Sequence, residues 1–325
     1  MATSKLGFVV GALVLGLIGC DAVDEPEAVQ EDFGGGAVQA REFQWNDFRL
    51  NDFRLNDFRL NSSRFNDFRL NGDTTSDWIE IYDFWLPNGG SSFTGQLSGG
   101  MLKINDGWGW LEEWDVEGTI IEYHIKKSGL TQVTKQVWLK WADPLAPYSD
   151  VWKYDADIRT NGGPWEPLCL DSNGNRTDTL LIGEAWNPTT GAKITPKPSN
   201  SITLACRTAA LAKCVEFGYR PWASKNGTAL ANHHQACTRM VRADYCGTST
   251  PHTVSGTPIH VLDKIGIQNV GQGVNYVVEA EWGPNGATCL NPANTRLPNQ
   301  TIGCNIPTCG ASFASGGLIQ SGKVL

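Results

Sequence analysis

The 325-residue sequence contains no Cys-x-x-Cys pair and no His-x-x-x-His spacing, which argues against the usual zinc sites. No Gly-x-Ser-x-Gly word is present, so it offers no serine-hydrolase elbow. Cationic residues are in the minority: 26 Lys and Arg stand against 34 Asp and Glu, a formal net charge of -8. Nucleic acid is excluded as a partner, because phosphates need a basic footprint. Long apolar runs are missing too. The longest, Leu6–Ile18, is too short to span a bilayer comfortably. Between Cys20 and Cys169 there is no cysteine at all. Nothing in these absences implies a cofactor.

What is present begins with a secretion signal over residues 1–19, in which Lys5 precedes the apolar run. It ends in Leu17-Ile18-Gly19-Cys20, which resembles a bacterial lipobox. Cleavage before Cys20 leaves that thiol to carry a lipid. The expectation is a protein exported and anchored to a bacterial membrane, on the periplasmic side or the cell surface. Losing Lys5 moves the formal net charge from -8 to about -9. Residues 20–45 read as an acidic tether: Asp21–Asp32 hold six acids and no Lys or Arg, and a Gly-rich stretch follows.

Residues 46–71 repeat Asn-Asp-Phe-Arg-Leu, with one degenerate copy at 61–65. A five-residue period rotates by about 140° per repeat on a helix and alternates sides on a strand. It therefore builds no constant face in either. The repeats are read as a linker, as a tag or processed peptide read by another protein, or as a packed element.

From 74 to 160 the pattern is β, with Trp78–Tyr82, Thr119–Ile125 and Val133–Trp141 as strands between Gly and Pro turn signals. Nine of the 13 tryptophans lie from Trp78 to Trp165. Most are expected in the core and in cross-strand pairs. Trp108, Trp110 and Trp114 are flanked by glycines and are the candidate ligand-binding aromatics. Glu112, Glu113, Asp115 and Glu117 invite a glycosidase reading, but adjacent acids on a strand point to opposite sides, so an acidic turn is expected. Asp171–Asn175 lacks the spaced carboxylates of a calcium loop and reads as a turn.

The cysteine-rich part, 161–325, carries two short helices. One has an apolar stripe of Cys206, Ala210, Cys214 and Phe217, with Lys213 at its edge and Gly218 as its stop. The other starts after Asn232 as N-cap and buries Ala236, Cys237, Met240 and Val241, with Gly247 as its stop. Pro258–Leu262 and Asn275–Trp282 are expected to return as strands. The fold class is α+β: a Trp-rich antiparallel β region and a disulfide-stabilised part with two short helices, as one fold or two packed domains.

The words WEPLC at Trp165–Cys169, CRTAALAKCVEFGYRPW from Cys206, HHQACTRMVRADYCG from His233 and AEWGPNGATC at Ala280–Cys289 occur in order. Together they resemble the bacterial ADYC domain. The resemblance implies a secreted or lipid-anchored protein of the myxobacterial type and carries no activity with it.

Cys169, Cys206, Cys214, Cys237, Cys246, Cys289, Cys304 and Cys309 are an even set in an exported chain, which argues for four disulfides. Cys304 and Cys309 are placed near Cys289, and Cys214 with Cys237 or Cys246. A thiol hydrolase would use Cys246 or Cys237 with His233, His234, His252 or His260 as base and Asp244 as orienter. It needs a free thiol, which full pairing denies; Asp244 reads instead as a local acceptor for backbone or an arginine. The function expected is a non-catalytic envelope binding or interaction module, its ligand an envelope protein or glycan. The alternatives are an envelope hydrolase of peptide or glycan, and a carrier of a processed repeat peptide.

Overall fold

The computed structural model describes Val38–Gln39 and residues 78–324, apart from 93–94, 127–131, 172, 188–189, 197–201, 255–256 and 271–274. The expectations for the leader, Cys20 and the pentapeptide repeats, and nearly all of those for the tether, lie outside the described residues.

The principal strands are β1 Trp78–Trp85, β2 Gly95–Ser98, β3 Met101–Asn105, β4 Ile120–Lys126, β5 Gln132–Pro144, β6 Trp152–Thr160, β7 Thr179–Ile182 and β8 Thr203–Cys206. An antiparallel sheet runs in the order β8-β7-β6-β5-β4-β1, extended by Ser91–Ser92, with Glu166–Pro167 paired to β6. Alternation decides its faces. Ile121, Tyr123, Val137, Leu139, Ala156 and Ile158 point into one core, while Glu122, Gln136, Trp138, Asp157 and Arg159 line the other side.

A smaller sheet of β2, β3 and Trp110–Leu111 covers the apolar face. Leu102 and Ile104 of β3 are fully buried there, each worth about 1.5–3 kcal/mol in removed apolar surface. Tyr154 fixes the register between the layers: its hydroxyl accepts from the Leu102 amide at 2.9 Å and donates to the Gly100 carbonyl at 3.3 Å.

The cysteine-rich part contributes β7 and β8 to this sheet before forming its own. Helices α1 Ala210–Glu216 and α2 Ala231–Arg242 lead to β9 His260–Asp263, β10 Tyr276–Gly283, β11 Gly286–Leu290 and β12 Ile319–Val324. The second sheet is ordered β9-β12-β10-β11, and Met240 and Val241 of α2 pack with Trp282 in its core.

Several local expectations change. Cys206 ends β8 opposite Thr179 rather than opening a helix, because the apolar stripe begins only at Ala210. Asn232 lies inside α2, whose N-cap is Leu230 with no side-chain bond; the preceding hairpin of Ser224–Lys225 and Thr228–Ala229 feeds directly into the first turn. Lys213, placed at the edge of the stripe, is buried. The stop of α2 is Ala243 at φ 51°, not Gly247. α1 does end at Gly218, at φ 95°.

Candidate functional site

Trp110–Leu111 returns antiparallel to the end of β3, with Asn105 opposite Trp110. The four residues between them form a turn locked by side chains. Asn105 Oδ1 accepts from the Gly107 amide, and Asp106 Oδ1 accepts from the amides of Trp108 and Gly109, all at 2.8 Å. Asp and Asn favour such turns because a short carboxyl or amide reaches the amides just ahead of it. Those amides hold the Asp106 carboxyl below its ordinary range, so it is ionised.

The result is a rigid stalk with an exposed indole at its tip. Trp108 is 97% exposed, Trp110 42% and Trp114 55%. Trp114 sits on a single helical turn, Glu113–Val116, whose Val116 is fully buried. Its ring meets buried Trp152 edge-on at 5.3 Å. One edge is thereby anchored and the rest left to solvent.

The four carboxylates beside these rings divide by role. Glu112 pairs with Lys103, and Glu117 Oε1 accepts from the Ala142 amide at 3.0 Å. Glu113 and Asp115 are exposed. The group offers two structural acids and two solvent-facing ones.

A second aromatic surface, on the outer face of the large sheet, is occupied with itself. Glu122 Oε2 accepts from Trp85 Nε1 at 3.1 Å and Gln136 Nε2 at 2.6 Å, while Gln136 Oε1 accepts from Arg159 Nε at 2.5 Å. Arg159 lies 4.4 Å over Trp165, and Arg176 bridges Asp155 and Asp157. These are cross-strand pairs that stabilise the sheet.

A cavity of about 730 Å³ lies beside Leu290, Pro292, Ile302 and Ile306. Thr295, Asn299, Gln300 and Asn305 add hydrogen-bonding side chains to its lining, but no ionisable one.

Arg242–Tyr245 turn out to be buried, with Cys246 and Gly247 half-buried after them. Ala243 adopts the left-handed conformation that ends α2. Asp244 is fully buried, pairs with Arg239 and accepts from the amides of Thr248 and Ser249 at 3.0 and 2.9 Å. The Tyr245 hydroxyl donates to Glu279, and Cys246 is bonded to Cys304. A Cβ on Gly247 would fall 1.9 Å from the Asn285 carbonyl oxygen, a contact only glycine avoids.

The remaining disulfides join Cys169 to Cys206, Cys214 to Cys237 and Cys289 to Cys309. Cys214 thus takes the first of its two considered partners, whereas Cys304, placed beside Cys289, reaches across to Cys246. Both cysteines of the thiol-hydrolase reading are therefore disulfide-bonded. The histidines do other work. Burial lowers His234 to about 4, where its Nε2 faces the Leu211 carbonyl at 3.0 Å. His233 stacks on Tyr219 and is lowered by burial, and so is His260. His252 Nδ1 lies 3.1 Å from the Ala243 carbonyl.

Asp171 closes its own turn, accepting from the amides of Asn173 and Asn175 at 2.8 Å. Among the described residues, no three His, Cys, Asp or Glu gather as metal ligands, and no helix is long and apolar enough to cross a membrane.

Residues 113–296 match the ADYC domain, more than half of the chain. The chain belongs to the ADYC-domain family. No curated protein and no solved structure matches it. The match begins at Glu113, so the Trp108 turn precedes it while Arg239, Asp244, Tyr245 and Glu279 fall inside. Asp244 is the acceptor for backbone and an arginine that the sequence suggested, whereas the buried Glu279 and its partner Tyr245 were not read from it. The signal for Glu279, a charge within an apolar stretch, is the usual mark of a buried pair.

Proposed function

We propose that this ADYC-domain protein is a cell-envelope binding module, carried on a lipid at Cys20, that engages its ligand with the tryptophans of the β3 turn. The observation that carries this reading is Trp108. An indole 97% exposed at the tip of a turn fixed by three side-chain bonds contributes nothing to the core. Aromatic anchors dominate binding energy at interfaces, and a turn whose backbone is already fixed loses little freedom when its indole is covered.

The compartment agrees. Four disulfides mark a chain that folds outside the reducing cytoplasm. In this proposal residues 1–19 direct export, 20–45 tether the folded part and the repeats over 46–71 extend its reach.

The test is cosedimentation of the purified full-length chain with washed envelope fractions. Replacing Trp108, Trp110 and Trp114 together by Ala should reduce binding about tenfold or more with the four disulfides intact. Undiminished binding by the folded triple variant would sink the proposal.

A further inference from the structure

We infer that the partner of the Trp108–Trp114 platform is cationic, an Arg- or Lys-bearing segment of another protein. This rests on the proposed role of the platform and adds the chemistry of what it takes.

The first observation is Glu113. It has φ 57° and is exposed, in a region where a side chain is strained and glycine is not. No cation pairs with it among the described residues, and its carboxylate caps no amide there. The fold gains nothing from a glutamate at this position, so its charge points outward to a partner. Asp115, also exposed, and Asp106, held ionised by its turn, add charge of the same sign.

The second observation is where this protein places its own cations. Lys140 lies over Trp138 at 5.8 Å, Lys153 over Trp141 at 5.0 Å, Arg159 over Trp165 at 4.4 Å and Arg296 over Trp282 at 5.9 Å. Among the described residues none lies over Trp108, Trp110 or Trp114. The sequence from Ile104 to Ile125 contains no Lys or Arg, and Lys103 is engaged by Glu112.

Indole faces attract cations through the ring quadrupole, and nearby carboxylates add Coulomb attraction and steering. Both act in one direction. An anionic ligand is repelled, and a neutral one leaves three carboxylates unused.

The probe is a short Arg-rich peptide, titrated against the full-length chain by calorimetry at physiological salt. A citrulline version of equal length and a neutral chito-oligosaccharide serve as controls. The Arg peptide should bind and the citrulline peptide should not. Trp108→Ala should weaken binding about tenfold, whereas diffuse attraction to an acidic protein would survive that change. Glu113→Gln with Asp115→Asn should weaken it similarly. Glu113→Gly is the structural control, raising Tm by relief of strain while lowering affinity.

Failure of the Arg peptide to bind in a Trp108-dependent way overturns the inference. Trp108-dependent binding of the citrulline peptide or the oligosaccharide at equal affinity overturns it too, but leaves the platform's role standing. Loss of any Trp108 dependence, on envelope fractions as well, takes both down.

Discussion

The Tyr245 hydroxyl donates to Glu279 Oε1 at 2.6 Å inside the cysteine-rich part. Arg296 closes on the same carboxylate, its Nη2 2.7 Å from Oε2, and the Ser321 hydroxyl donates to Oε2 at 2.6 Å. A buried carboxylate so surrounded has its charge and lone pairs answered. Tyr245→Phe removes one donor and should cost about 1–2 kcal/mol. Glu279→Ala strands the Arg296 guanidinium and should cost about 3–5 kcal/mol. Urea unfolding under oxidising conditions orders the two; equal costs would contradict the network.

Stability should fall in two steps as the solution is acidified. Burial holds His234 neutral, lowered from 6.5 to about 4. The unfolded chain takes up that proton first, so stability is lost between about pH 6.5 and 4. His234→Gln keeps a donor toward the Leu211 carbonyl and should shrink this upper step, leaving what His233 and His260, also lowered by burial, contribute.

The lower step belongs to Glu279. Burial alone would raise its carboxyl, but Arg296 overrides that and lowers it to about 2. Its contribution is complete above the ordinary carboxylate range and is lost as pH falls from about 4.5 toward 2. Melting curves of Glu279→Gln should lack that lower step and begin from a lower plateau.

At the end of α2, two neighbouring positions should respond in opposite senses. Ala243 at φ 51° sits where glycine is unstrained, so Ala243→Gly should raise stability by about 0.5–1 kcal/mol. Gly247→Ala forces a Cβ into the Asn285 carbonyl and should prevent oxidative folding. Thermal melts and the yield of correctly paired protein decide.

The disulfides should be unequal. Cys246–Cys304 closes a separation of 58 residues and Cys289–Cys309 one of 20. Paired Cys→Ser replacements should cost roughly 4 and roughly 3 kcal/mol by loop entropy. Peptide mapping without reduction should recover the four pairs, with none of these eight thiols alkylated.

Much of the fold was legible where period and chemistry agreed. The strands expected at Trp78–Tyr82, Thr119–Ile125 and Val133–Trp141 correspond to β1, β4 and β5, each somewhat longer or shifted by a residue. Pro258–Leu262 and Asn275–Trp282 correspond to β9 and β10. β12 was not legible. Its Ser321 and Gly322 carry no strand signal, yet it lies between β9 and β10 because Gly322 lets Val277 and Tyr276 approach closely. At the candidate site the glycines around Trp108 were readable as exposure. The left-handed Glu113 was not, since glutamate carries no turn signal. Pairing across Cys246–Cys304 depends on tertiary placement, which spacing does not encode.

Between Cys289 and Cys309 the chain has one short helical turn, Pro292–Asn294, and no strand after Leu290. After Leu290 only Thr295 and Arg296 of this segment are buried. Two disulfides, the buried Arg296 and the side-chain amides of Asn291 and Asn294 on the Val278 carbonyl hold this segment where other parts of the fold use strand ladders. Such a stretch should accept substitution at its solvent-facing positions while replacement of a cysteine or of Arg296 loosens the whole of it.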